Sequence, residues 1–490
     1  FTIEQLAGDL LPNATKDQII ATAFHRNTMN NDEGGTSNEE YRVAAVVDRV
    51  NTTWEVWQGL TFSCVQCHSH PYDPIRHEEY YSFYSIFNNT ADADLPSEKP
   101  VIEVFTKEQE TKLGAIKKWI AENGNTAQVK KQLDSIKPTT LPILEELPDN
   151  QRRETYVFRK GNWQDKGEKV ERGVPQSMPA LEGEDPDRLS VAKWLVSGKN
   201  PLTSRVTVNR FWQQLFGTGL VETLEDFGSQ GYPPSHPALL DWLALQFQDE
   251  QQWSMKALIK LMVTSATYKQ SSIVSPEHLE KDPSNYLLAR ASRTRLNAEQ
   301  IRDQTLAVSG LLSDKMFGPS VMPYQPEGVW QVVYNGGAWN LAEGEDAYRK
   351  AIYTYWRRTS PYPSMMSFDS NSREFCVSRR INTNTPLQAL VTLNDPVYVE
   401  AANALASLTE SYSDDVDEQI KYAFQKALLR VPSTSEMDVM KGLYSEVKLD
   451  LQNFDETKLE IASVNRETLK TRMSVVANAI LNLDEFVTRQ

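Results

Sequence analysis

Apolar positions recur at helical spacing from Phe1 to Leu11 and stop at Pro12, which predicts a short opening helix. Thr15-Lys16-Asp17-Gln18 reads as a capping box that starts a second helix reaching about His25. A longer pattern runs from Glu39 to about Leu60, prolines follow at 71 and 74, and an aromatic-rich helix is expected over His77 to Phe87. Residues 96 to about 150 are polar and Lys-rich, with helical pieces such as Glu108 to Ala121 that end at Pro138, Pro142 and Pro148; they read as a connecting or hairpin segment. Thr155 to Arg159 has strand composition and leads into a turn at Lys160-Gly161-Asn162. Helical periodicity returns beyond Pro179, most clearly over Asp187–Val196, Ser204–Phe216, Pro237–Phe247, Met255–Thr264 and Ala298–Leu311. Residues 313 to 350 are irregular, and the tail from about Pro386 is helical again. The expectation is a mainly α protein in three parts: a multi-helical domain over 1–95, a helical connector with a small β or extended element over 96–178, and a larger helical domain over 179–490. No fixed-period repeat interrupts this order.

One stretch carries chemistry of its own. Cys64-Val65-Gln66-Cys67-His68 is a C-x-x-C-H sequence, the attachment pattern of c-type haem. On one helical turn the two thiols share a face and reach two vinyl groups on one edge of a porphyrin, while His68 offers a nitrogen to the iron as proximal ligand. The same spacing also serves a redox disulfide or half of a zinc site. Zinc would need a second pair of ligands, and the one remaining cysteine, Cys376, is remote in sequence.

Composition narrows the partners. A formal charge of −15 over 490 residues disfavours non-specific binding to nucleic acid or anionic membrane. No run of 18 apolar residues is present, so nothing is expected to span a bilayer. Three cysteines do not make a disulfide framework. Because covalent haem attachment takes place outside the cytoplasm, the expected location is the periplasm or cell surface, with a leader and the start of the first domain expected ahead of Phe1.

Two sets of motifs resemble a known family. Phe1 to Pro12, Phe24-His25-Arg26-Asn27-Thr28-Met29, Asn31 to Gly35, Val47 to Thr53 and Cys64 to Pro74 form the first set. Asn209-Arg210-Phe211-Trp212, Asp226-Phe227-Gly228, Ser235-His236-Pro237, Thr264 to Tyr268, Arg373-Glu374-Phe375-Cys376 and Thr383 to Leu390 form the second. Together they resemble the planctomycete-type cytochrome c proteins that carry two paired domains of unknown function. The resemblance implies a secreted haem protein with a redox role, electron transfer or haem-dependent oxidation, found beside polysaccharide breakdown. It leaves room for an assembly or carbohydrate-binding protein with a structural haem, or for a metal-binding hydrolase. The expected partners are a redox or assembly protein and an anionic polysaccharide.

The iron's sixth position has three claimants: His25, preferred because it lies inside a family motif on another helix, Met29 in the same segment, and an open or water-bound site. His70, two residues beyond His68, cannot share its helix face and reads as a neighbour of the haem, as does Tyr72 between Pro71 and Pro74. The loop Asn30-Asn31-Asp32-Glu33-Gly34-Gly35 offers hard oxygens to calcium without the EF-hand spacing. Arg357, Arg358, Arg373, Arg379 and Arg380 suit an anionic substrate, or an internal network of ion pairs. Cys376 reads as a core thiol and His236 as structural. The absence of G-x-G-x-x-G, P-loop, G-x-S-x-G and H-E-x-x-H leaves nucleotide use and standard hydrolase chemistry without support.

Overall fold

The computed structural model describes residues 1–29, 37–95, 97–124, 126–325, 328, 338–357, 360–447 and 468–489. The protein is mainly α-helical. Its packing divides the chain into two compact units, Phe1–Thr264 with Phe375–Ser378, and Ser265–Glu374 with Arg379–Gln490.

The first unit opens with α1 (Thr2–Ala7) and α2 (Lys16–Ala21), the latter started by the expected Thr15–Gln18 box. The chain tightens into a 3₁₀ turn over Thr22–Arg26. Helix α3 (Asn38–Thr53) continues through a π turn, Trp54–Gln58, which Gly59 ends in the left-handed conformation at φ 58°. Helix α4 (His77–Phe87) packs against α3, with Tyr80, Tyr81, Phe83, Tyr84 and Phe87 buried. Together with Trp54, Phe62 and the apolar side of a later helix these rings form the core; Trp54 stacks on Phe62 at 4.2 Å.

Strand β1 (Val101–Val104) then pairs antiparallel with β2 (Thr139–Pro142), Val101 opposite Pro142. The two bracket α5 (Lys107–Asn123) and α6 (Ala127–Ser135), and α5 buries no residue. The polar segment is therefore a hairpin in the sense expected, but the pair of strands at its base is a feature that periodicity did not reveal. The extended element beyond it is β3 (Tyr156–Phe158) against β4 (Lys166–Lys169).

Helices α7 (Arg188–Leu195), α8 (Thr203–Phe216), α9 (Pro237–Leu245) and α10 (Met255–Val263) complete this unit. The sequence boundary at 179 assigned them to the C-terminal domain, whereas packing places them with residues 1–178. The reason is visible in Arg188, fully buried, whose guanidinium holds Asp9 through two bonds of 3.0 and 2.6 Å, Glu146 at 2.7 Å and the Leu6 carbonyl at 2.8 Å. Val191, Ala192, Trp194 and Leu195 join the same aromatic core.

The second unit holds α11 (Pro276–Lys281), α12 (Ala298–Val308), α13 (Pro363–Ser367), α14 (Pro386–Asn394), α15 (Pro396–Tyr412), α16 (Val416–Leu428), α17 (Thr434–Glu446), α18 (Arg472–Leu481) and α19 (Asp484–Val487). A two-residue pair joins β5 (Thr294–Arg295) to β6 (Thr488–Arg489). Its main core is the apolar stripe of α15, α16 and α18, from Leu405 and Phe424 to Ile480.

Candidate functional site

The C-x-x-C-H stretch folds as a single 3₁₀ turn, Ser63–Gln66, with Cys67 as its cap. Three apolar side chains pin it to the core: Leu60, Phe62 and Val65 are all buried, and Phe62 lies between Trp54 and the Tyr80 ring at 5.2 Å. The other side carries the chemistry. Residues i and i+3 eclipse in a 3₁₀ turn, so Cys64 and Cys67 stand one above the other more strictly than on the α-helical turn expected. The Cys67 amide donates to the Cys64 carbonyl at 3.3 Å. Both thiols are free, Cys64 half-buried and Cys67 exposed. Burial pushes the Cys64 thiol up, and its Sγ donates to the Thr61 carbonyl at 3.4 Å.

His68 is exposed, with Nδ1 2.8 Å from the Ser69 carbonyl. A carbonyl only accepts, so in the neutral ring that contact places the proton on Nδ1 and leaves the Nε2 lone pair free. This is the tautomer a metal-ligating histidine needs, with its second nitrogen oriented by a backbone acceptor. The donor set therefore fits a covalently held haem: two free thiols for thioether bonds and an unprotonated Nε2 for the iron. Among the described residues no group of three or more His, Cys, Asp or Glu is arranged to hold a metal ion.

The turn is clamped from several sides. The Gln66 carbonyl accepts from His77 Nε2 at 3.0 Å and from the Tyr81 hydroxyl at 2.8 Å, both on α4. His70 Nδ1 accepts from the backbone N–H of Asp73 at 2.8 Å and of Tyr72 at 3.3 Å, while its Nε2 faces the Thr61 hydroxyl at 3.4 Å. Asp73 in turn accepts from the amide and hydroxyl of Ser229, at 2.7 and 2.6 Å. Gly161, at φ 74°, lies so close to Cys67 that an added Cβ would sit 2.9 Å from its Sγ. None of His77, Tyr81, Gly161 or Ser229 was singled out from sequence for this site. Gly161 stood in a recognised turn, and Ser229 directly follows the Asp226-Phe227-Gly228 motif.

Comparison with known families bears on the same segments. A family model described as PSCyt2, a protein of unknown function (DUF1549), matches residues 1–92, which contain the C-x-x-C-H turn. A model described as PSD1, a protein of unknown function (DUF1553), matches residues 187–444, more than half of the chain. The chain belongs to the PSD1 family. The two models are the paired domains typical of planctomycete cytochrome c-associated proteins, which is the coarser part of the resemblance read from sequence. Comparisons with curated proteins and with solved structures return no match. In this PSD1 protein the Asp73–Ser229 contact links the two matched stretches within the first unit.

The other expected site residues lie elsewhere. His25 is buried, its ring 4.9 Å from Phe24, 5.3 Å from Phe87 and 6.3 Å from Trp57, and none of these belongs to the 64–68 turn. Its carbonyl accepts from Arg49 Nε at 2.8 Å, and its Nε2 has no hydrogen-bond partner. Burial, reinforced by the charges of Arg49 and Arg188, holds its pKa well below 6.5, so the ring is neutral. Met29 is 41% exposed, and Tyr72 lies on the surface beside His70. Arg380 forks onto Glu299 at 2.6 and 3.0 Å, Arg373 stacks 4.7 Å over Trp356, and Arg379 is half-buried. Arg358 and the acidic loop proposed for calcium, residues 30–35, lie outside the described residues.

Proposed function

We propose that this PSD1 protein carries one covalent c-type haem on Cys64, Cys67 and His68, and that its role is redox. The observation that carries the reading is the 3₁₀ turn itself: two eclipsed free thiols followed by an imidazole whose Nε2 is left bare by the Nδ1–Ser69 contact. Haem would supply one-electron chemistry at iron, and the protein sets its potential through axial ligand and burial. His70 is engaged through both ring nitrogens, and His25, whose Nε2 has no partner, is enclosed by aromatic rings, so each would have to give up present contacts to meet the iron. This favours an exchangeable sixth position, and with it activation of a small oxidant, over purely electron-transferring ligation by two histidines. Haem attachment of this type takes place outside the cytoplasm, and the proposed location follows from it.

Material from a host that assembles c-type cytochromes should keep the mass of one haem after denaturation, and its reduced form should change spectrum with carbon monoxide. Cys64→Ala with Cys67→Ala should lose the retained mass. A polypeptide of bare mass from such a host ends the haem reading. Haem retained without any response to carbon monoxide ends only the claim of an exchangeable ligand.

A further inference from the structure

The first unit contains a cavity of about 730 Å³ apart from the C-x-x-C-H turn, within the size range of small-molecule sites. Its walls include Phe24, Trp57, Phe211, Phe247, Trp253 and Arg210. Local structure sets them. Trp57 projects from the π turn that follows α3, and Arg210 and Phe211 are neighbours on α8. Trp253 sits just ahead of α10 in the left-handed region, φ 61°, its amide donating to the Phe247 carbonyl at 2.8 Å and its ring meeting Phe247 edge-on at 5.2 Å.

Arg210 is the charged side chain in this wall, and it has donors to spare. Its Nη2 donates to the Glu55 carbonyl at 2.6 Å and to the Ser378 hydroxyl at 2.8 Å. Its Nε is buried with no acceptor, and among the described residues no carboxylate lies within ion-pairing distance of the guanidinium. The carboxylate of Glu55 is instead engaged by the Ser378 hydroxyl, at 2.8 Å from Oε1. Two other polar groups of the wall already have partners, the Thr207 hydroxyl on the Thr203 carbonyl at 2.7 Å and the Gln252 amide on the Asp249 carbonyl at 2.6 Å. An arginine stays protonated, and a cation drawn out of water without a counter-ion is destabilising. The Glu55 carboxylate acts on this cation by its charge without pairing with it, so the guanidinium can take a second anion, and the walls suit an apolar body attached to it.

We propose that the cavity binds a small amphipathic carboxylate, its ring or chain against the aromatic walls and its carboxylate on Nη1 of Arg210. With both Nη2 protons held by Glu55 and Ser378, Nη1 is the guanidinium nitrogen left to meet a carboxylate, and aromatic walls accept flat apolar groups. Burial pushes the Glu55 carboxyl up, which lessens its competition for the same cation. The proposal stands independently of the haem.

The test uses 4-phenylbutanoate and its uncharged match, 4-phenylbutanamide, titrated into the full chain and followed by calorimetry and by the emission of the wall tryptophans. The carboxylate should bind at one site per chain, and the amide about tenfold or more weaker, as expected for loss of a charge-assisted hydrogen bond. Arg210→Gln should abolish that preference without changing binding of the amide, and Phe211→Ala should weaken both ligands. If thermal melting shows that Arg210→Gln does not fold, Arg210→Lys takes its place, and part of the preference should survive with the charge. Absence of saturable binding up to millimolar carboxylate, equal affinity for acid and amide, or an unchanged preference in Arg210→Gln each overturns the proposal.

Discussion

Cys67 can approach the turn at residues 159–161 because position 161 carries only a hydrogen. An alanine there would be held at φ 74°, which L-residues avoid, with its methyl 2.9 Å from the Cys67 sulfur. Gly161→Ala should therefore impair thioether formation at Cys67 and spare it at Cys64, as peptide mapping of the haem-bearing segment will show. In haem-free chain the same substitution should slow alkylation of Cys67; two intact thioethers together with an unchanged alkylation rate would remove Gly161 from the site. His25 makes a second prediction at this scale. Its pKa is held low in the fold, so the unfolded chain takes up a proton near pH 6.5 that the folded chain refuses. Stability should consequently fall as pH drops below 6.5, by up to about 1.4 kcal/mol per pH unit for one proton, until the folded pKa is reached. His25→Leu should lose that component in urea titrations between pH 6.5 and 5. At this scale the three motif residues were legible because their chemistry lies in one short stretch of chain. Gly161, Tyr81 and Ser229 were not, because Gly161 and Tyr81 meet the turn, and Ser229 meets Asp73 beyond it, through contacts that only the fold creates. His25 was legible as a special residue, but its surroundings are aromatic packing, which a motif does not reveal.

Helices α3 and α4 owe their placement to charges inside the core as much as to rings. Arg49 of α3 binds Asp92 just beyond α4, with Nη2 2.6 Å from one oxygen and Nη1 3.1 Å from the other, and both residues are buried. Burial alone would raise the Asp92 carboxyl; the Arg49 charge and hydrogen bonds, with Arg26 beside them, hold it below the usual carboxylate range. The pair thus stabilises the fold above the ordinary carboxylate pKa and loses that contribution as pH falls through the depressed one. Arg49→Met leaves Asp92 buried without its partner and should cost about 3–5 kcal/mol in urea unfolding at pH 7. A loss within 1 kcal/mol would show that water or Arg26 compensates. Most helices were readable from apolar spacing and caps, as with the Thr15–Gln18 box. The π turn after α3 escaped because it changes the register of a helix without ending its pattern. Strand β1 escaped because Val101-Ile102-Glu103-Val104 is too short for alternation to mark it.

For the whole molecule, the informative difference concerns where the first unit ends. Composition and the return of helical periodicity suggested a boundary at 179, but nothing local announces that Arg188 belongs to Asp9 and Glu146. Two fragments put this to the test. Residues 1–264 should unfold cooperatively, followed by circular dichroism. Residues 1–178 should not, since Asp9, Glu146 and the Leu6 carbonyl lose Arg188, and the aromatic core loses Trp194 and Leu195. Cooperative unfolding of the shorter fragment would restore the boundary read from sequence.

The four residues Phe375–Ser378 belong to the first unit although they are separated from it along the chain. Domains made on the ribosome tend to fold from the N-terminus as they emerge, and contacts distant along the chain form late. Glu55 and Arg210 are translated early, yet the serine hydroxyl that bonds to both is added only long after residue 264. A nascent chain would thus display an almost finished first unit whose last hydrogen bonds wait for a later stretch of message, and a stop codon anywhere in that interval would release a protein without the hydroxyl that joins these two side chains.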